Sequence, residues 1–370
     1  MDTAAFDYQA RCERVQERLR AANLDYLLVS PSSDLFYLIG LNRPQSERLT
    51  LLLIPREGRI RLVLPAFERA LAEPLAKFFD LVTWEETESP TELVASVLPN
   101  QGSGLKLGTA DKMFVHFQYK LQAALPDATF VSGGSVMNPV RMIKEPLELE
   151  YLTRAGAAAD QTFLEFLKSP IIGISEIEAK ARLYDLMVKC GHDAGGGGII
   201  GVGENGASPH HHVSARKIAP GEGVVADFGG TVHGYWSDIT RTFFVGQPPD
   251  EFRKVYDIVN QANQAAFEAV KPGVTAESID QVARGLISKA GYGDAFLHRT
   301  GHGLGFDIHE TPYIVGGDKT VLEAGMVFSI EPGIYLRGKF GVRIEDIVTV
   351  TANGARRFNQ STHELQIVTA

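Results

Sequence analysis

"GVVADFGGTVHGYWSDITRTFFVG", residues 223–246, reads as two strands joined by a turn near Thr231–Gly234. Each strand carries one aspartate among apolar neighbours, Asp227 in "VVADF" and Asp238 in "SDITRTFF". The two are equidistant from the turn, so an antiparallel hairpin centred there sets them opposite each other, with Cβ atoms about 5 Å apart. Opposed like charges destabilise a hairpin and need a counter-charge. Arg241 could neutralise one of them structurally; a cation could serve both.

The same geometry recurs in "MVFSIEPGIYLRGKFGVRIEDIVTV", residues 326–350, which reads as a hairpin turning near Gly338. Glu331 and Glu345 are equidistant from that turn and also face each other. Four converging carboxylates would be unstable without about two divalent cations. Two metals ~3.5–4 Å apart are a known arrangement for hydrolysis. "RTGHGLGFDIHE", residues 299–310, adds His302 and His309 in a segment too glycine-rich for a stable helix. Taken alone, that segment reads first as two solvated or hydrogen-bonded structural histidines. Mostly oxygen ligands plus one imidazole suit Mn²⁺ or Co²⁺ at least as well as Zn²⁺.

Composition supports this direction. The 370 residues are enough for two domains of ~150 residues each. Hydrophobic residues make up 44% and charged residues 22%, an ordinary globular balance. The formal charge of −9 argues against a nucleic-acid partner, because phosphate binding needs a basic footprint. Two cysteines, Cys12 and Cys190, form neither a disulfide framework nor a thiolate zinc site. The polar N-terminus does not read as a signal peptide, and no apolar run approaches ~18 residues. The expected setting is the cytoplasm, with no membrane partner.

Along the chain, residues 5–22 read as an amphipathic helix, followed by strands in "DYLLVS", "LTLLLIP" and "IRLVLP". Helical stretches near 66–77, 91–98 and 114–124 alternate with "LKLGTAD" and "ATFVSG". This is an α/β pattern over residues 1–141. A long charged helical pattern opens at 142, and helices near 145–168, 174–190, 250–270 and 276–290 alternate with strand-rich segments to residue 370. Residues 142–370 therefore read as α+β. "GVGENG" at 201–206 fits a dinucleotide-loop glycine pattern, with Asp227 about 20 residues on. However, "ASPHHHVS" follows it, a poor helix, so a glycine-rich strand and turn is the better reading.

Five motifs, "ADFGG", "SDITRT", "TGHGLG", "SIEPG" and "VRIED", then carry a resemblance. They resemble the ligand motifs of the dinuclear metallopeptidases with the pita-bread fold: prolidase, Xaa-Pro aminopeptidase and methionine aminopeptidase. The similarity spans the whole chain, because "SSDLFYLIGLNRPQSERLTLLL" resembles the N-terminal domain of prolidases and creatinase. The resemblance implies an N-terminal creatinase-like α/β domain followed by a pita-bread catalytic domain. It implies Asp227, Asp238, His302, Glu331 and Glu345 as metal ligands, with glycines letting the backbone approach the metals. His309, and His210 found 17 residues before Asp227, would contact substrate. His211 and His212 match no role in the family and read as solvated loop residues.

The implied reaction is hydrolysis of the Xaa-Pro bond, with Glu331 moving the proton and His210 and His309 stabilising the oxyanion. Arg343, two residues before Glu345 on the same strand face, would fix Asp238 or Glu345. One position departs from the pattern. Some prolidases carry an arginine directly after the proline of "HExP", where it binds the substrate's free carboxylate; here "HETPY" places Tyr313. Arg43 and Arg48 lie in a loop resembling one that reaches a partner's active site in dimeric relatives. Either could supply the cation, or either could simply be solvated. The expectation is a homodimeric Xaa-Pro dipeptidase, with an aminopeptidase for longer peptides as the alternative. Binding and chaperone modules of this fold have lost metal ligands, and creatinase is a metal-free enzyme; the full ligand set sets this chain apart from both.

Overall fold

The computed structural model describes residues 6–369. The chain forms two compact units, Met1–Arg141 and Met142–Ala370.

In the first unit, α1 (Tyr8–Ala22) starts where Asp7 accepts the Ala10 amide and stops at Asn23, whose φ of 52° ends the helix. It buries Cys12, Val15 and Leu19, a single face at helical spacing. The helix expected from residue 5 thus begins at Tyr8, and residues 1–5 lie outside the described residues. Six strands make one mixed sheet: β1 (Tyr26–Val29), β2 (Leu51–Pro55), β3 (Ile60–Pro65), β4 (Phe79–Trp84), β5 (Lys106–Thr109) and β6 (Thr129–Ser132). Their order is β4-β3-β2-β1-β5-β6. The helices are α2 (Ser33–Ile39), α3 (Arg69–Ala72), α4 (Pro90–Val97), α5 (Val115–Ala124) and α6 (Gly134–Met142). The sequence reading missed α2, β4 and α6. In α2 the residues from Asp34 to Ile39 are all buried, which erases the helical period, and α6 contains Pro139.

The second unit repeats one plan twice, a helix pair over an antiparallel sheet. α7 (Pro146–Lys168) begins with Pro146 in its first turn, and the Glu148 side chain accepts the Glu145 amide at 2.9 Å. α8 (Glu176–Lys189) has a reciprocal Ser175–Glu178 cap. The pair covers a sheet ordered β18-β10-β8-β7. Its strands are β7 (Ala194–Val202), β8 (Gly223–Val232), β10 (Ile239–Val245) and β18 (Gln366–Val368), with β9 (Tyr235–Trp236) pairing β8. Phe163, Phe166, Leu183 and Met187 pack there against Ile200, Phe228 and Phe243.

In the second half, α9 (Asp250–Ala269) and α10 (Ala276–Lys289) cover a sheet ordered β12-β11-β13-β16-β17. The strands are β11 (Gly301–Gly303), β12 (Glu310–Ile314), β13 (Val327–Ile330), β16 (Asp346–Thr351) and β17 (Gly354–Arg357). Val255, Val259, Ile279 and Ile287 meet Phe328, Ile330 and Val348. β14 (Gly333–Leu336) and β15 (Phe340–Arg343) extend the β13/β16 hairpin as a separate ribbon. This is the expected pita-bread architecture behind an α/β unit. "GVGENG" runs from β7 into a 3₁₀ turn, Gly203–Ala207, and opens no α-helix.

The two sheets are tied together beside the cavity described below. The Glu345 amide donates to the Thr240 carbonyl at 3.0 Å. Arg241 donates to the Glu345 carbonyl and pairs with Asp346 at 2.7 Å. Arg241 therefore neutralises Asp346, not Asp227 or Asp238. Both side chains are buried. Burial works to raise the Asp346 pKa, but Arg241 and His363 outweigh it and hold the carboxyl well below its ordinary value. Asp346→Asn leaves a buried guanidinium without its counter-charge, so it should lower unfolding free energy by about 3–5 kcal/mol. Urea denaturation of the two proteins measures this.

Candidate active site

The acidic residues converge, though one pair does so differently from expected. In the second hairpin, Gly333 pairs with Arg343 and Ile330 with Asp346. Glu331 and Glu345 occupy the matching gap between the two ladders. The turn centres on Gly338, as the spacing predicts, with φ of 73°. In the first hairpin the turn falls one residue later than expected. His233 and Gly234 take φ of 50° and 84°, and Asp227 pairs with Thr240 rather than Asp238. The offset is two residues, which preserves the face, so both aspartates still point to one side.

That side is a cavity of about 820 Å³. Asp227, Asp238, His302, Glu331, Glu345, His210, His309 and Arg343 all line it. Arg43 and Arg48 belong to the other unit. There Arg43 pairs with Glu68 and donates to Thr50, while Arg48 pairs with Glu86 at 2.8 Å and with Glu47.

Asp238, His302 and Glu345 each offer a ligand atom, all within 4.8 Å of one another. The His302 Nε2 also lies 3.3 Å from Glu331 Oε1. Its Nδ1 sits 3.1 Å from the Gly303 carbonyl, a bond that puts the proton there and turns the Nε2 lone pair toward the carboxylates. Burial first, then His309, lowers the His302 pKa to about 3, so the imidazole is neutral. Its backbone amide donates to Ser329 Oγ, which donates in turn to Glu331. The glycines beside His302 serve strand packing: a Cβ on Gly301 would lie 1.9 Å from the Ser329 carbonyl oxygen.

The carboxylates repel one another. Burial, then Asp227 and Glu331, pushes Asp238 well above its ordinary value. Burial, then Asp238 and Glu331, does the same to Glu345. Glu331 is raised to about 7, mainly by burial, with Arg343 opposing. Arg343, the guanidinium bonded into this cluster, cannot balance four acids. This donor set, four carboxylates and a neutral imidazole short of positive charge, fits divalent cations.

Arg343 is 3% exposed. It donates to Asp227 at 2.5 Å, to Thr240 Oγ1 at 3.0 Å and to Tyr335 Oη at 2.8 Å. It therefore fixes Asp227 directly and reaches Glu345 only through Thr240, whose hydroxyl donates to Glu345 at 2.7 Å. Burial opposes its charge, but Tyr335, Asp227, Glu331 and Glu345 outweigh that and hold it protonated.

Three residues escaped the sequence reading. His298 and Arg299 line the cavity, and His298 lies 2.7 Å from the Tyr335 hydroxyl. Tyr335 sits in a strand that reads as plain core, and nothing local distinguishes His298 from a structural histidine. His211, expected in solvent, is 2.8 Å from the buried Glu176, which also takes the amides of Val202 and Ser214. It braces the loop that carries His210.

A cavity in which two acidic hairpins meet a neutral imidazole at His302 is built for metal-assisted hydrolysis, and the chain belongs to metallopeptidase family M24, which it matches over residues 150–352. Residues 11–143 match the Creatinase/Prolidase N-terminal domain. The crystal structure of dipeptidase PepE from Mycobacterium ulcerans is 39% identical, with a TM-score of 0.94 and 100% of both chains covered. The prolidase from Thermococcus sibiricus is 38% identical, with a TM-score of 0.92, covering 98% of this chain and 100% of that one. The Xaa-Pro dipeptidase of Lactobacillus helveticus is 36% identical over 363 residues, 96% of this chain and 98% of that protein.

Proposed function

We propose that this chain hydrolyses the Xaa-Pro bond of dipeptides, using two divalent cations, Mn²⁺ foremost, held by Asp227, Asp238, His302, Glu331 and Glu345. The observation that carries the reading is the charge deficit of one buried cavity, in a chain that aligns almost end to end with a named Xaa-Pro dipeptidase. Cations bound there supply Lewis acidity and a water acidic enough to ionise near neutral pH.

The protein's own groups do the rest. Glu331 accepts a proton from the attacking water on its carboxylate and passes it to the departing proline nitrogen. His309 donates to the oxyanion that forms from the scissile carbonyl, and His210 orients the peptide. The His309 pKa is lowered, by burial first and then by Arg299 and His210, so it donates as a neutral imidazole. Arg343 keeps Asp227 in place. The same reading takes the protein as a cytoplasmic homodimer. Its two cysteines are unpaired, which suits a reducing compartment. No helix among the described residues is long and apolar enough to cross a membrane.

Release of proline from Ala-Pro under added Mn²⁺ tests the reading; equal cleavage of Ala-Pro-Ala would assign an aminopeptidase. His309→Ala should lower turnover about 10²- to 10³-fold, the scale of one lost oxyanion donor, and keep its metal. His302→Ala should lose metal as well as activity. Elemental analysis of the two variants separates the roles, and equal metal loss would contradict them.

A further inference from the structure

We propose that Arg299 binds the free C-terminal carboxylate of the dipeptide and so makes the pocket selective for dipeptides. The assignment rests on the Xaa-Pro reading above and adds the group that sets substrate length.

The carboxylate of a dipeptide enters the cavity together with the scissile bond. Burying it without a partner is costly, so a cation must meet it. Three cationic side chains line the cavity: Arg343, Lys180 and Arg299. Arg343 is committed to Asp227, Thr240 and Tyr335. Lys180 packs against Gly198 and the ring of Tyr184.

Arg299 is half-buried and has no carboxylate within ion-pair distance among the described residues. Its guanidinium lies 4.4 Å over the ring of Tyr313. Stacking occupies the face of the group and leaves its N–H edge open, the edge that grips a carboxylate with two parallel bonds. The platform is well placed, because Tyr313 is the β12 partner of His302 in the β11 ladder. The Arg299 charge is felt at Glu331, His302 and His309, at the reacting end of the cavity. Tyr313 thus carries no charge but seats one, and the cation comes from the same chain as the acids.

The test uses Mn²⁺-loaded protein and two substrates differing only in the carboxylate, Ala-Pro and Ala-Pro-NH₂. The wild type should prefer Ala-Pro in kcat/KM by about tenfold or more, the scale of charge-assisted hydrogen bonds. Arg299→Gln should abolish that preference, mainly through KM for Ala-Pro. Arg299→Lys should restore part of it, and Lys180→Gln should leave the ratio as in the wild type. If Arg299→Gln keeps the wild-type ratio, or Lys180→Gln removes it, the assignment to Arg299 is overturned while the Xaa-Pro reading stands. If the wild type hydrolyses the Ala–Pro bond of neither substrate, that reading falls and the assignment with it.

Discussion

Replacing Glu331 by Gln should lower proline release from Ala-Pro by about four orders of magnitude, the upper end of what a positioned acid–base group contributes. Gln keeps the shape and can still accept the Ser329 hydroxyl, which donates to Glu331 at 3.1 Å. What it loses is the ability to take a proton and one negative charge near His302. The fold should survive, because the four acids clustered at the cavity repel and removing one relieves that repulsion. Circular dichroism and thermal unfolding check this, and a variant retaining a tenth of wild-type turnover would remove Glu331 from the proton path.

Metal removal should have the second-largest effect, and it has a pH signature. In the metal-free protein Asp238, Glu331 and Glu345 all have pKa values raised by burial first and then by neighbouring acids, Asp227 among them, Glu331 to about 7. Unfolded, such acids titrate near ~4. Between those values the folded state binds more protons than the unfolded one, so stability falls as pH rises. The contribution is fully present below pH ~4 and lost as pH passes through the folded values. For Glu331 alone this amounts to about 3 kcal/mol. Chelated wild type should therefore lose stability relative to chelated Glu331→Gln between pH 5 and pH 7.5. Metal-loaded protein should gain about 3–4 kcal/mol at neutral pH with metal at 100–1,000 times its dissociation constant. Urea unfolding at both pH values, with and without chelator, measures it. A stability difference between the two metal-free proteins that stays the same from pH 5 to 7.5 would contradict the electrostatic account.

Local spacing carried most of the candidate site. Glu331 and Glu345 are equidistant from Gly338, and the ladders on either side, Ile330 with Asp346 and Gly333 with Arg343, keep the two level with each other. The Asp227–Asp238 register slipped because the turn sits on His233–Gly234, both with positive φ. A residue followed by glycine at a two-residue hairpin turn is the usual signal for that geometry, and centring on the aspartates overrode it. Contacts made far along the chain were not legible. Arg343 reaches Asp227 across 116 residues, and Arg241 reaches Asp346 across 105. Spacing along one strand suggested instead that Arg343 fixes Asp238 or its near neighbour Glu345. The stacking of Arg299 on Tyr313 is of the same kind. Only the folding of β12 beside β11 brings the ring to the guanidinium.

The central claim is that this cavity hydrolyses Xaa-Pro dipeptides with bound divalent metal. Its most direct test is a titration of chelator-stripped protein with Mn²⁺ while proline release from Ala-Pro is followed. Release should start near zero and rise to a plateau at two equivalents of metal per chain. Full activity in the stripped protein, or no proline released at any Mn²⁺ concentration, would contradict it.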